Sequence, residues 1–461
     1  MGFTPERAEI RFGCGLSPTI AAPASARVML DRLAGPDHAA TSFPIPALTQ
    51  TLPSFVALRQ ARRDRKQAKT KADQKRLRKA YRKLVRANRA EAAGWLGHTF
   101  LRRALTGDGL RERVTAFWAD HFTARGKSGF WATAYGPYVE EAIRPHVTGS
   151  FAQLLRAAAT SPLMLHYLDQ TASIGPNSSR GLKSKGKRGI NENLAREMLE
   201  LHTLGVDGPY TQGDVRELAE LLTGLSFSLG SGFTFLPGQA EPGPETVLGI
   251  TYGGDKARLD DVFRALDDLA RHPATATHLA RKLAVHFTGD NPEPDLIAEI
   301  AARYRDTDGD LMALYDVLLN HPAAWQDGLG NVKQPIDFIG STFRALDLDP
   351  RHMPVGEPSK MRDLILVPMA LMGQPYGQAP APDGWPEADA DWITPQRLAA
   401  RLQWAISVPF RLRRTLPEPA VFLTHALGST APEPVRFAAR AAETRAEAIG
   451  IILASPAFQR F

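Results

Sequence analysis

The chain has 461 residues, 43% of them hydrophobic, and a formal net charge of +7. This apolar content is enough for one large hydrophobic core or several ordinary ones, which excludes a disordered chain. The single cysteine, Cys14, excludes an internal disulfide and any cysteine-rich zinc or iron–sulfur site, because each of these needs several thiolates.

The first 57 residues are punctuated by prolines such as Pro18, Pro36 and Pro53, which predicts a lead-in of short helices. The start of the chain has no basic segment followed by an apolar one, so the sequence predicts no secretion signal and a cytoplasmic location. No apolar run approaches the roughly 20 residues that a membrane-spanning helix needs, and no membrane span is expected.

Residues 58–105 contain no proline and are rich in Ala, Arg, Lys and Gln, which predicts a long basic helix or a helical hairpin. Between residues 59 and 89 the local charge is +13, so the rest of the chain carries −6. Only the second half has apolar residues at helical spacing, so we expect it to pack and the first half to project into water. Such a helix suits an anionic partner, but it fits no motif that reads DNA, and nucleic acid is disfavoured.

Residues 106–461 are predicted to form the main domain, a succession of helices joined by short loops. A small β insert is expected near residues 225–252, where short runs of strand-forming residues alternate with Gly and Pro. His-Pro-Ala occurs twice, at His272 and His321, and each copy predicts the start of a helix. The expected fold class is therefore mainly α, in a multi-helical globular protein.

The most concentrated polar motif lies at residues 191–204, which read Asn-Glu-Asn-Leu-Ala-Arg-Glu-Met-Leu-Glu-Leu-His-Thr-Leu. On a helix, Asn193, Glu197 and Glu200 would share one face beside an apolar stripe. The sequence Thr-Gln-Gly-Asp that follows at residues 211–214 predicts a capping box at the start of the next helix. Residues 191–224 are therefore predicted to form a helical hairpin.

Two interpretations of this polar motif are open. Charged side chains between packed helices need partners, so a network of Arg–Glu ion pairs would explain them. Alternatively, the shared face is an acid–base site or a divalent-metal site, completed by Asp120 and His121 in Phe-Trp-Ala-Asp-His-Phe. Further cofactors stay unknown. The candidate catalytic residues are His121, Asn193, Arg196, Glu197, Glu200 and His202, and the candidate metal ligands are His121, Glu197 and Glu200.

Three other segments give more limited predictions: a cationic segment, a proline-rich segment and a pair of histidines. Residues 178–189 combine cations with glycines, which predicts either a surface loop or an anion-binding lid. The proline-rich residues 372–386 predict an ordered strap that packs its aromatic side chains onto the body. His278 and His286 share a helical face, but Lys282 lies between them and disfavours a dication there.

Several motifs are distributed over nearly the whole chain. They include Arg-Phe-Gly-Cys-Gly at 11–15, Phe-Trp followed by His-Phe at 117–122, Leu-His-Thr-Leu-Gly-Val-Asp-Gly at 201–208, and Leu-Ala-Ser-Pro-Ala-Phe-Gln at 453–459. Together with the motif at 191–197, they resemble the bacterial family catalogued as domain of unknown function 1800.

The resemblance implies a predominantly helical fold without an established activity. It also implies frequent genomic pairing with an exported family similar to sulfatases and alkaline phosphatases, and hence a sulfatase-like protein partner and a periplasmic role. The sequence departs from the family pattern at Ala240-Glu241, where many members carry His-Asp. A ligand or base supplied by that pair would be missing from this chain.

Two hypotheses of function follow. The first is an enzyme, or a degenerate enzyme, with a carboxylate and histidine site between residues 117–122 and 191–204. The second is a non-catalytic partner or assembly factor for a sulfatase-like exported hydrolase, which docks through the basic helix. A solvent-reachable pocket beside Glu200 would favour the enzyme, and a fully packed environment would favour the partner.

Overall fold

A computed structural model describes residues 2–127, 129–184, 188–326 and 330–461. Over these ranges the chain is mainly helical, with two small antiparallel sheets, and this confirms the predicted fold class. None of the helices in these ranges combines the length and the low polarity that crossing a membrane requires. The division of the chain into domains stays a prediction.

The N-terminal part consists of three short helices and a helical hairpin. The lead-in helices are α1 Pro5–Arg11, α2 Ala26–Ala34 and α3 His38–Ser42, and the hairpin is formed by α4 Leu48–Gln67 and α5 Lys71–Leu105. The hairpin turns at residues 68–70, where the Thr70 hydroxyl accepts the N–H of Asp73 at 3.0 Å and caps α5.

Helix α4 begins ten residues before the predicted boundary at Leu58 and contains Pro53, which was expected to interrupt the chain. Proline lacks an N–H, so it removes one helical hydrogen bond. Its neighbours Leu52 and Phe55 are buried in the core, and their burial offsets that loss. The expectation of an interruption at Pro53 was therefore wrong.

The two ends of the hairpin differ in their surroundings. Leu96, Phe100 and Leu101, near the C-terminal end of α5, are buried, whereas the basic side chains around the turn are mostly exposed. The Arg65 guanidinium lies 4.7 Å from the centre of the Tyr81 ring and joins the two helices by a cation–π contact.

The middle of the chain has short helices with several irregular turns. The α-helices are α6 Gly109–His121, α7 Tyr135–Tyr138, α8 Phe151–Thr160, α9 Pro162–Tyr167, α10 Ser179–Ser184, α11 Asn193–Glu197 and α12 Gln212–Leu221. The 3₁₀ turns are Gly129–Thr133, Arg144–His146 and Gln170–Ala172, and the π turns are Val139–Ile143 and Met198–Thr203.

The motif helix α11 passes directly into the π turn Met198–Thr203. The wider turn places Leu199 and His202 inside the protein and leaves Leu201 partly exposed, although regular helical spacing predicts Leu201 on the buried stripe. The predicted capping box is present, because the Thr211 hydroxyl accepts the N–H of Asp214 at 3.2 Å.

The β insert contains two separate hairpins, whereas a single insert was expected. Strands β1 Leu225–Ser228 and β2 Gly232–Phe235 pair with each other, as do β3 Gly243–Val247 and β4 Ile250–Gly254. Carboxylates of α12 anchor the second hairpin: Asp214 accepts the N–H of Leu248 at 2.7 Å and Glu217 accepts that of Thr246 at 2.9 Å. These acidic residues therefore bind strands, not the motif helix.

The rest of the chain is again helical. Its α-helices are α13 Leu259–Arg271, α14 Pro273–Thr288, α15 Pro294–Asp306, α16 Leu311–Asn320, α17 Pro335–Ala345, α18 Pro358–Met361, α19 Val367–Leu371, α20 Asp389–Trp392, α21 Pro395–Ser407, α22 Pro409–Leu412, α23 Pro419–Leu427, α24 Glu433–Ala441, α25 Arg445–Ala454 and α26 Pro456–Gln459. Helical turns start directly after His272 and His321, as predicted. The ring nitrogens of both histidines cap these turns by accepting backbone N–H groups at 3.1 and 3.2 Å.

The buried apolar side chains form two clusters. One is built mainly from α1, α2, α6, α8 and α13 to α16, and the other from the C-terminal half of α5 together with helices after residue 335. A buried ion pair of 3.1 Å between Glu9 and Arg344 joins α1 of the first cluster to α17 of the second. Buried residues of α6, such as Trp118, and of α14, such as Leu279, belong to the first cluster.

Candidate functional site

Helix α6 ends at a histidine in an aromatic frame. His121 is 1% exposed and its ring lies 5.4 Å from that of Trp118 and 4.6 Å from that of Phe122. Its Nε2 forms a hydrogen bond of 3.1 Å with the carbonyl oxygen of His202, and its Nδ1 has no partner among the residues that the structure describes. The structure thus brings together two of the predicted site residues, His121 and His202.

A third histidine completes this group. The rings of His202 and His278 lie 6.1 and 6.2 Å from that of His121. Burial drives the pKa of His121 far below its ordinary value and that of His202 to about 3, and the nearby Lys282 cation lowers both further. The two buried imidazoles are therefore neutral at physiological pH.

One face of α14 presents His278, Lys282 and His286 at successive turns, as the spacing predicts. Lys282 acts electrostatically on Asp120, at the end of α6, and on Glu387, just after the strap. The cation is thus close to a carboxyl group on each of two other elements.

The strap, residues 372–386, crosses over the end of α6. The backbone N–H of Trp385 donates to Oδ1 of Asp120 at 2.9 Å, and Arg125 donates to the carbonyl oxygen of Ala379 at 2.8 Å. Gly384 has a φ of +92°, and a Cβ atom at that position would lie 2.7 Å from Oδ1 of Asp120. The strap backbone therefore rests directly on the Asp120 carboxyl group.

Two acidic groups near the strap have opposite pKa shifts. Burial raises the pKa of Asp120 to about 8, with a further contribution from the charge of Glu387. Burial alone would also raise the pKa of Glu387, but His286 and Lys282 outweigh it and hold that pKa below its ordinary value. His286 Nδ1 lies 2.9 Å from Oε1 of Glu387. Near neutral pH, Asp120 is mostly protonated and Glu387 is ionised.

The predicted carboxylate face of α11 is largely an ion-pair network at the surface. Arg196 binds Glu192 at 3.0 Å and Glu200 at 3.3 Å, with 38%, 37% and 26% of the three side chains exposed. Gln212 of α12 extends the network, because its Nε2 donates to Glu192 at 2.9 Å. This arrangement matches the ion-pair interpretation, although the network is not enclosed between the two helices.

Glu197 and Asn193 lie apart from this network. Partial burial raises the pKa of Glu197, and the nearby carboxyls of Glu200 and Asp383 contribute. Asn193 is exposed and donates its backbone N–H to the Asn191 side chain at 2.9 Å, so it serves the start of the helix. In the described ranges no group of three or more His, Cys, Asp or Glu side chains is placed to hold a metal ion. The metal site at His121, Glu197 and Glu200 stays a prediction.

Two other features of the sequence are the cationic segment 178–189 and the departure from the family pattern at Glu241. The cationic segment 178–189 begins with α10, but residues 185–187 lie outside the described residues, and its role as a lid stays a prediction. Glu241, at the position where the family resemblance places Asp, is 6% exposed and its Oε2 accepts the N–H of Asn177 at 2.9 Å. This carboxylate therefore anchors the backbone at Asn177.

Sequence reasoning missed part of the polar centre. Asp120 was identified only as an accessory donor, Lys282 only as an obstacle to a metal, and Glu387 was not identified at all. The sequence signal available for Asp120 was its position directly before His121 in a run of aromatic residues. Neither Glu200 nor His121 lines any of five cavities found among the described residues.

The fold and site define a class of helical protein in which a proline-rich strap covers a polar centre at the end of a buried helix. The sequence of residues 8–460 matches the family model described as protein of unknown function (DUF1800), and the chain belongs to that family. No curated protein and no solved structure matched the chain.

Proposed function

We propose that this protein is an enzyme that transfers protons at the strap-covered centre, with Asp120 as the group that gives up and takes back the proton. The observation that carries the proposal is the contact between the strap and this carboxyl, in which the Trp385 N–H fixes Oδ1 at 2.9 Å. A hydrogen bond from a rigid backbone holds a catalytic carboxyl in one orientation.

The surrounding side chains have separate roles in this proposal. Lys282 stabilises negative charge that develops on the substrate, as a fixed cation does in a partly dry site. Burial raises the pKa of Asp120 in the resting enzyme, and Glu387, held by His286 at 2.9 Å, raises it further with its negative charge. Neutral His121 packs the end of α6 against the His202 carbonyl and positions Asp120.

The opposite pKa shifts of Asp120 and Glu387 support this assignment. Two neighbouring carboxyls whose environments separate their pKa values can act as an acid and a charged stabiliser at the same pH. Asp120 is only partly buried and the adjacent Asp383 is exposed, so the centre lies near the protein surface. Substrate access requires the strap to lift from Asp120, as lids do in many enzymes.

The test compares Asp120→Asn with Glu200→Gln in the full chain, incubated with a small-molecule extract of bacteria and followed by mass spectrometry. We expect the wild type to deplete at least one metabolite and Asp120→Asn to do so about 100-fold more slowly, the usual effect of losing a general acid. Glu200→Gln should retain activity within about twofold, since exposed ion pairs contribute little. No depletion by the wild type, or equal depletion by Asp120→Asn, would contradict the proposal.

A second candidate function is a docking protein for a sulfatase-like hydrolase, which binds through the turn of the α4–α5 hairpin. The specific observation is that Lys69, Lys71 and Lys75 are exposed around this turn and have no ion pair among the described residues. A cluster of unpaired cations attracts an acidic surface on a partner protein.

Neutralising Lys69, Lys71 and Lys75 to Gln should leave the fold intact and abolish capture of the hydrolase in a pull-down. The matched control removes three exposed charges elsewhere, at Lys256, Arg271 and Arg281, and should capture the hydrolase as the wild type does. Unchanged capture by the variant at the turn would refute docking through the hairpin.

A further inference from the structure

A cavity of about 410 Å³ lies at the base of the hairpin, between α4, α5 and the 3₁₀ turn Gly129–Thr133. Its charged lining consists of three arginines, Arg59 and Arg62 from α4 and Arg89 from α5, and no acidic side chain lines it. The cavity therefore has a strongly positive wall, separate from both the strap and the hairpin turn.

The three arginines have no carboxylate partner in the part of the chain that the structure describes. Within the described ranges none of Arg59, Arg62 and Arg89 forms an ion pair, whereas Arg76, nearer the turn, binds Asp73 at 2.9 Å. Guanidinium groups bind phosphate through paired N–H donors more effectively than ammonium groups do. Three such groups around one space favour a dianion over a single carboxylate.

A buried amide adds a hydrogen-bond donor to the lining of the same cavity. Asn88 lines the cavity and is 7% exposed, and its Nδ2 has no hydrogen-bond partner among the described residues. The other end of the amide faces the Thr133 hydroxyl, whose single proton is shared between Oδ1 at 3.0 Å and the Phe130 carbonyl oxygen at 2.8 Å. An unpaired buried donor is costly, and a ligand oxygen would supply the missing acceptor.

Two aromatic side chains of the lining, Phe130 and Trp131, are held in place by ring contacts. Phe130 stacks on Phe55 with the ring centres 4.8 Å apart, and Trp131 stacks on His166 at 4.7 Å. A volume of about 410 Å³ is within the range of small-molecule sites and far exceeds what a phosphate ion fills. A largely apolar and aromatic cavity of about 450 Å³ shares Arg89 with the first. The space therefore suits an anionic group attached to an organic body.

We propose that this cavity binds a small soluble phosphate monoester with an aromatic or apolar body. Arg59, Arg62 and Arg89 bind the phosphate oxygens, Asn88 donates to one of them, and the organic body packs against Phe130 and Trp131. The proposal is independent of the chemistry at Asp120, because neither Asp120 nor Trp385 lines this cavity.

The test measures binding of phenyl phosphate to the full-length protein by calorimetry. Replacing Arg59, Arg62 and Arg89 by Gln should weaken binding at least about 100-fold, since each charge-assisted contact contributes about tenfold. The control variant replaces three exposed cations of the same hairpin that do not line the cavity, Arg63, Lys66 and Arg86, and should change affinity less than about threefold.

A second variant tests the amide without changing the charge. Asn88→Leu keeps a side chain of similar length in the buried position, and Thr133 retains the Phe130 carbonyl as its acceptor at 2.8 Å. This variant should weaken phenyl phosphate binding about tenfold, because one hydrogen bond to a charged group is lost.

Two further probes distinguish a soluble phosphate monoester from free phosphate and from a lipid headgroup. Inorganic phosphate should bind at least about tenfold more weakly than phenyl phosphate, since it lacks the ring that packs on the aromatic wall. Phosphatidic acid vesicles should retain the wild type and the cavity variant equally. Absence of phenyl phosphate binding, equal losses in the control variant, or binding to the vesicles alone would overturn the proposal.

Discussion

Asp120 shows how the position of one side chain sets its acidity. The strap and α14 cover part of this carboxyl, and burial raises its pKa from 3.8 to about 8. The native state therefore binds one more proton than the unfolded chain between these two pH values. The stabilisation linked to that proton is full below about pH 4 and is lost as the pH rises through 8.

Asp120→Asn should remove this pH dependence. Between about pH 5 and pH 7 the wild type should lose up to about 3 kcal/mol of unfolding free energy relative to the variant, because a raised carboxyl pKa penalises the native state as the pH rises. Urea unfolding at both pH values measures the difference. Parallel stability curves for the two proteins would show that Asp120 titrates normally.

Gly384 is the residue that allows the strap to rest on Asp120. Gly384→Ala should destabilise the protein by about 2 to 3 kcal/mol, because the residue has a φ of +92° and the new methyl group would meet Oδ1 of Asp120 at 2.7 Å. Gly356→Ala is the matched control, since its φ of +86° is similar and no atom lies within 4 Å of the added carbon. Equal losses in the two variants, measured by thermal unfolding, would mean that the contact with Asp120 contributes nothing.

Among the elements, helix α11 and the turn that follows it allow a test of whether Glu200 has a structural or a catalytic role. Glu200→Gln should cost less than about 1 kcal/mol of unfolding free energy, because Arg196 and Glu200 are 38% and 26% exposed and solvent screens their pairing. Chemical unfolding and metal analysis of the same samples test this. A stoichiometric metal in the wild type that is lost in Glu200→Gln would restore the predicted metal site and contradict the surface-network account.

The sequence predicts elements well where the signal is local. Thr211 and Asp214 form their capping box, and His272 and His321 cap the turns that follow them, because each motif concerns residues within one turn. The π turn at Met198–Thr203 has no comparable local signature. It rotates His202 into the core and moves Leu201 outward, against the regular periodicity on which the prediction relied.

At the scale of the whole molecule, the candidate site depends on contacts between distant parts of the chain. The hydrogen bond from Trp385 to Asp120 spans 265 positions of sequence, and Glu387 meets His286 across 101. Spacing patterns carry no information about such pairings, which is why Glu387 escaped prediction although the strap itself was expected. The polar centre therefore follows from the packing of α6, α14 and the strap, and from no single motif.

The most direct measurement of the central claim is a ¹³C NMR titration of the Asp120 carboxyl carbon in the full-length protein, assigned by its loss in Asp120→Asn. The account predicts a midpoint of about 8, and a lower midpoint in Glu387→Gln, which removes the neighbouring negative charge. A midpoint near 3.8, unchanged in Glu387→Gln, would contradict the claim that Asp120 is a protonated acid near neutral pH.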